Sequence, residues 1–192
     1  MRSPELIFDD ALTAFLEYEG SWLLSDVSER NTCGRLAIFI ERQLKQERIF
    51  EYYTDTEYNR KQSDQVKTII NKELRVLPIT ADLIVHSRGD LPAPDDNLIA
   101  VEVKKSSRPA HEKNADKDRL IAMTSPPYNG VWNWADGHPE HVCGYSVGIF
   151  MEIRRKEHEI FLEYFKLGQK TNERLIKIPA RRVSNYVKEE FW

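Results

Sequence analysis

Asn97-Leu-Ile-Ala-Val-Glu-Val-Lys-Lys105 is the stretch that decides the reading of this chain. Its first half is a continuous apolar run, which predicts a strand buried on both faces. Side chains at i and i+2 of a strand share a face. Leu98, Ala100, Glu102 and Lys104 are therefore expected on one side, and Ile99, Val101 and Val103 on the other. A carboxylate and an amine at the end of such a strand cost desolvation unless they are paired, hold a metal, or reach water.

A second apolar run, Ile79-Thr-Ala-Asp-Leu-Ile-Val-His86, lies about twenty residues upstream with Asp82 in its middle. The linker Ser87-Arg-Gly-Asp-Leu-Pro-Ala-Pro-Asp-Asp96 is rich in turn residues, so the two runs are expected to pair as a hairpin. Pairing would set Asp82 beside Glu102 and Lys104. Two carboxylates and an ammonium in one small space suit a hard divalent cation with an amine near a reacting oxygen.

The chain has 192 residues, a length that suits one domain, and 41% of them are hydrophobic, enough for a core. No apolar run approaches the roughly 18 residues a membrane helix needs. The first ten residues lack the apolar core and cleavage site of a secretory signal, so a cytoplasmic protein is expected. Cys33 and Cys143 are too few for a disulfide framework and read as buried thiols. A formal charge of -3 does not advertise a nucleic-acid coat. It leaves room for an acidic site with a local basic rim.

Ser3-Pro4-Glu5 has the form of a helix start, with Leu6, Ile7, Ala11, Leu12, Phe15 and Leu16 at helical spacing and Gly20 as the expected stop. Asp26 and Glu29 have capping-box spacing ahead of a second helix to about Glu47, in which Gly34 would permit close packing. Glu29 has two readings there: complement to the helix dipole, or a carboxylate presented to the site. Phe50 to Tyr58 alternates like a strand, and Gln65 to Leu77, charged and poorly patterned, is expected as a helix or a mobile connection. Asn114 or Asp116 is expected to cap a crossover helix that ends at Thr124-Ser-Pro-Pro127. Gly144 to Glu152, Glu159 to Lys166 and Arg174 to Ile178 follow as strands, and Pro179 opens a last helix with Val183, Tyr186 and Val187. The predicted class is α/β, a central mixed sheet flanked by helices.

Helix, strand, strand with Asp82, strand with Glu102-Val-Lys104, helix, strand resembles the common core of the PD-(D/E)XK, or restriction-endonuclease-like, nuclease superfamily. Ala81 stands where the family name has proline. The resemblance covers about residues 26–152, with residues 1–25 as a helical extension and 153–192 as strand and helix additions to a single domain. It implies metal-dependent hydrolysis of a phosphodiester, of DNA or alternatively RNA. Asp82, Glu102 and the Val103 carbonyl would bind Mg²⁺ or Mn²⁺, Lys104 would act on the attacking water or on transition-state charge, and Glu29 would assist. The rival expectation is a catalytically idle member serving as a nucleic-acid-binding or assembly subunit. A homodimer or a partner subunit stays open.

Lys105, Arg108, Lys113, Lys117 and Arg119 follow the proposed site. Lys105, Arg108 and Arg60 are the candidates for phosphate contact, against a solvated face diluted by Glu112, Asp116 and Asp118. Trp132 and Trp134 are either base-stacking platforms or loop anchors. His138, His141 and Cys143 are zinc-ligand types without a second cluster. His86 falls on the Asp82 face if its strand is regular. The chain has no Gly-rich phosphate loop and no Gly-x-Ser-x-Gly elbow, which argues against a nucleotide-driven motor, a dinucleotide enzyme and a serine hydrolase.

Overall fold

The computed structural model describes residues 2–56, 68–70, 76–78, 81–92, 95–126 and 143–179. The expected C-terminal helix, Arg60, Trp132, Trp134, His138 and His141 lie outside the described residues. Two long helices come first, α1 (Pro4–Leu23) and α2 (Glu29–Gln46), followed by β1 (Tyr53–Thr56), β2 (Thr68–Ile70), β3 (Val76–Pro78), β4 (Leu83–His86) and β5 (Asn97–Lys105). Helix α3 (Ala110–Thr124) then leads to β6 (Val147–Arg154), β7 (Glu159–Lys166) and β8 (Gln169–Lys177).

Six strands form one mixed sheet in the order β1-β4-β5-β6-β7-β8, and β2 pairs with β3 apart from it. Every neighbouring pair of the large sheet is antiparallel except β5 and β6. Parallel neighbours need a crossover, and α3 supplies it. Helices α1 and α2 cover one face, where Leu36, Ile40 and Leu44 join Val85, Ile99, Val101, Val103, Ile149 and Met151 in the larger core. The Phe15 and Phe39 rings meet edge to face at 5.6 Å between the two helices. On the other face, Leu120 and Met123 of α3 pack on Ile84, Ala100 and Phe150.

Several expectations need correction. Gly20 does not stop α1, which runs to Leu23. It lies buried inside the helix, and a Cβ there would stand 3.2 Å from Pro179, so its smallness serves packing. The cap of α2 is Ser28, whose hydroxyl accepts from the Asn31 N–H at 3.1 Å. Asp26 instead takes a left-handed backbone (φ 64°) in the preceding turn. Gly34 permits no close approach, since a Cβ there would meet nothing within 4 Å. Helix α3 begins at Ala110 behind Pro109, so neither Asn114 nor Asp116 caps it. In place of the helix or mobile connection expected over 65–77, the described residues form strands, β2 and the start of β3, and β8 is longer than expected.

Leu98 is a further correction. It packs with Ile99 in the larger core, away from Ala100. The β4–β5 register passes from Val85↔Ile99 to His86↔Asn97 and skips Leu98. A bulged residue of this kind shifts the alternation by one and turns a side chain to the opposite face. Beyond the bulge the pattern is regular, which leaves Ala100, Glu102 and Lys104 on the α3 face.

Gly148 sets how closely α3 approaches that face. A Cβ at Gly148 would lie 3.0 Å from Thr124 Cγ2 and 3.3 Å from Leu120 Cβ, both on α3. Gly148→Ala is therefore expected to lower stability by about 1–3 kcal/mol in urea denaturation. Gly34→Ala, at an exposed and unobstructed helix position, is expected to raise it by about 0.5–1 kcal/mol. Equal effects of the two substitutions would contradict this account of the α3 contact.

Candidate active site

The ladder between β4 and β5 begins at Leu83↔Val101, so Asp82 lies one step before the strand, alongside Glu102. Asp82 is in a bend, not in the middle of a strand as its sequence context suggests. Its carboxylate explains the early end of the ladder. Oδ2 accepts the Val103 N–H at 2.9 Å, so a side chain takes a hydrogen bond that a neighbouring strand's carbonyl would otherwise accept. This bond fixes the Asp82 carboxylate against the backbone of β5.

Lys104 lies on the same side. Its Nζ is 3.5 Å from Asp82 Oδ2 and 3.1 Å from Asp116 Oδ2 of α3, and it reaches the Val103 carbonyl at 3.4 Å. Burial pushes the Lys104 ammonium toward losing its proton, but Asp82 and Asp116 outweigh that and hold its pKa above the usual lysine value. The expected trio of Asp82, Glu102 and Lys104 is thus brought together, and a third carboxylate joins it.

Glu102 is fully buried. Its Oε1 accepts from Arg119 Nη1 at 2.7 Å, while Oε2 has no hydrogen-bond donor among the described residues. Burial drives its pKa well above the ordinary glutamate value, and the facing Asp82 carboxylate adds to the rise; Arg119 opposes it. Asp116 is also pushed up, first by burial, against the pull of Lys104 and Arg119. Arg119 bridges the two acids, with Nη2 3.0 Å from Asp116 Oδ1. Three carboxylates therefore face two cations, and the cluster balances only if Glu102 keeps a proton or a further cation enters.

Glu29 sits at the first turn of α2 and reaches the end of β5. Its Oε1 accepts the Lys105 backbone N–H at 2.9 Å, and Arg108 grips the same carboxylate at 3.1–3.2 Å. Burial raises its pKa, but the Arg108 and Lys105 hydrogen bonds outweigh it and leave the group below the usual value. Ser28, Glu29, Arg30, Cys33, Thr56, Asp82 and Arg108 line a cleft of about 250 Å³. Asp82 is thus both a cleft wall and a neighbour of the buried cluster.

The basic residues after β5 are engaged with acids. Lys105 pairs with Asp26 at 2.9 Å, Arg108 with Glu29, Lys113 with Glu152 at 2.9 Å, and Lys117 with Glu163. Arg119, in sequence one of a basic cluster that reads as either phosphate-facing or a solvated face, pairs with the buried Glu102 at 2.7 Å. His86 does not join the Asp82 cluster: its Nε2 is 2.9 Å from Asp55 Oδ2, a carboxylate that Arg88 also holds. Cys33 and Cys143 are both buried free thiols, as expected. Burial, aided by the nearby Asp82 and Glu102 charges, raises the Cys33 pKa, and burial alone moves Cys143 up to about 11. These thiols are poor nucleophiles at neutral pH.

Asp116 and Arg119 are the participants that the sequence reading missed. A signal was present: Asp116, Leu120 and Met123 fall at i, i+4 and i+7, which places a carboxylate on the apolar face of α3.

No family model, curated protein or solved structure matches the chain. What the chain can do therefore rests on its own geometry. Asp82, the unpaired Glu102 oxygen and the Val103 carbonyl are hard oxygen donors of the type Mg²⁺ and Mn²⁺ prefer. Surplus negative charge beside a buried orphan oxygen fits a divalent cation. Two features limit the fit. Arg119 already holds one Glu102 oxygen, and no group of three or more His, Cys, Asp or Glu side chains arranged to hold a metal occurs among the described residues. Nor is any helix among them long and apolar enough to cross a membrane.

Proposed function

We propose that this protein is a metal-dependent nuclease that hydrolyses phosphodiester bonds of DNA, with RNA as the alternative substrate. The observation that carries the reading is the meeting of Asp82, Glu102 and Lys104 at the β4–β5 junction, next to a cleft that Asp82 lines. The succession α2, β1, β4, β5, α3, β6, with β5 and β6 parallel, supports a restriction-endonuclease-like core.

Asp82, Glu102 and the Val103 carbonyl would hold Mg²⁺ or Mn²⁺, which when bound polarises the phosphate and lowers the pKa of its water. The chain's own part is positioning and charge. The Val103 N–H fixes the rotamer of Asp82. Lys104, held as a cation by Asp82 and Asp116, supplies positive charge for a developing phosphorane oxygen. Arg108, which lines the cleft, and Lys105, the last residue of β5, would meet the substrate backbone by exchanging Glu29 and Asp26 for phosphate. Glu29 would assist from the cleft wall. Such a protein works in the cytoplasm, as a monomer, a homodimer or with a partner subunit.

The Arg119–Glu102 pair favours one rival, a catalytically idle member of the same fold that binds nucleic acid or a partner, because that guanidinium is already a counter-cation. Metal binding separates the two. A saturable Mn²⁺ site filled to about 100 times its Kd should stabilise the fold by about 2.7 kcal/mol in thermal denaturation. Asp82→Ala should abolish that gain. In parallel, the purified chain with Mn²⁺ should cut one of four substrates: single- or double-stranded DNA or RNA. No stabilisation by Mn²⁺ or Mg²⁺ and no cleavage of any of the four would leave the idle reading.

A further inference from the structure

Lys104 is held from two sides by anions of different kinds. Asp82 lines the cleft, and its side chain retains 28% exposure. Asp116 comes from α3, does not line the cleft, and its side chain is only 6% exposed. A carboxylate this buried costs desolvation, so a partner must offset it. Its partners are Arg119 on Oδ1 and the Lys104 ammonium at 3.1 Å from Oδ2.

The pairing has a geometric basis. Glu102 and Lys104 are two apart on a strand, a separation of roughly 6.6 Å. Asp116 and Arg119 are three apart on a helix, with Cβ atoms about 5–6 Å apart. The two spacings nearly match, so each strand residue meets an oppositely charged helix residue, and Arg119 crosses between the acids. Glu102, Arg119, Asp116 and Lys104 form one continuous chain of contacts from the buried carboxylate to the amine.

We propose that Asp116, clamped by Arg119, is the positioning residue for Lys104: it holds the ammonium beside Asp82 when Asp82 gives its carboxylate to a divalent cation. The inference rests on the nuclease reading. A cation on Asp82 repels the nearby ammonium, and Asp116 is the shorter of the two carboxylate contacts that Lys104 has. Without it the amine is free to turn out of the site, and charge delivered by a mobile side chain is worth far less than charge already in place.

The test uses the full chain with Mn²⁺ and its cleavable substrate. Asp116→Asn should lower kcat by about 100-fold while leaving KM and Mn²⁺ affinity within about twofold, and Asp116→Glu should recover part of the loss. A second readout needs no activity. The Lys104 ammonium signal in ¹H–¹⁵N spectra of the metal-free chain, assigned by its loss in Lys104→Met, should be present in the parent and broadened away in Asp116→Asn. If Asp116→Asn cleaves like the parent, or loses Mn²⁺ affinity as Asp82→Ala does, the positioning role is wrong while the nuclease reading stands. A parent chain that binds no Mn²⁺ and cuts nothing sinks the nuclease reading and the positioning role with it, whatever the ammonium signal does.

Discussion

Lys104→Met is expected to leave the protein folded and to reduce phosphodiester cleavage by about 10³-fold, a barrier increase of roughly 4 kcal/mol. Methionine keeps most of the apolar stem, which matters because only 14% of the Lys104 side chain is exposed. What disappears is the ammonium between Asp82 and Asp116. Asp116 keeps Arg119 on Oδ1 while its buried Oδ2 loses its ion pair, Asp82 keeps the Val103 N–H, and the Asp82 side chain reaches water. The stability loss should therefore stay near 1–3 kcal/mol in urea denaturation. Removing one positive charge should not weaken Mn²⁺ binding, because a nearby cation opposes a second one. The predicted pattern is a folded, metal-binding, inactive variant. A Lys104→Met protein that cleaves at the parental rate shows that the amine has no part in the chemistry. A variant that fails to fold shows that its role is structural.

Arg119→Met should cost about 3–5 kcal/mol of stability near neutral pH, which makes it the largest folding effect among the charged residues of the site. The reason is Glu102. That carboxylate has no exposure, its Oε2 lacks a donor among the described residues, and Arg119 Nη1 donates to Oε1. Deleting the guanidinium leaves a buried charge facing Asp82 and Asp116. The pH dependence follows from the direction of the Glu102 shift. Its folded pKa lies well above the ordinary value near 4.5, so between those two values the folded state binds more protons than the unfolded one. Stability from this group falls as pH rises through that window and is greatest at its acid end. Losing Arg119 raises the folded pKa further. The cost of Arg119→Met should then shrink as pH is lowered and Glu102 takes up a proton. The double variant Arg119→Met/Glu102→Gln, which removes the charge along with its partner, should recover most of the loss at pH 8. A cost that stays flat from about pH 5 to pH 8, or that Glu102→Gln does not relieve, would mean that Glu102 is not the group Arg119 serves.

Much of the scaffold was readable in the chain. The apolar run at 97–105 announces a buried strand, the turn-rich 87–96 linker announces its hairpin partner, and the 3.6-residue periodicities of α1 and α2 mark their buried faces. β7 occupies the span expected for it, Glu159–Lys166. These features are local: each follows from propensity, period and turn chemistry within about ten residues. The helix boundaries that failed, at Gly20, Asp26 and the start of α3, sit at residues engaged elsewhere. Gly20 lies against Pro179, Asp26 pairs with Lys105 and Arg155, and Asp116 faces Lys104 and Arg119.

The composition of the site divides the same way. Sequence could nominate Asp82, Glu102, Lys104 and Glu29, because strand alternation and hairpin pairing bring the first three together and Glu29 heads the helix ahead of the sheet. It could not decide where the cations after β5 point. Lys105, Arg108, Lys113, Lys117 and Arg119 look alike in one dimension, yet Lys105 turns to the exposed Asp26 while Arg119 turns to the fully buried Glu102. That choice depends on the crossover of α3 onto the β5–β6 face and on the closeness that Gly148 permits. Charge-pair energies vary steeply with distance and burial, so only the three-dimensional packing separates a solvated lysine from a buried counter-ion.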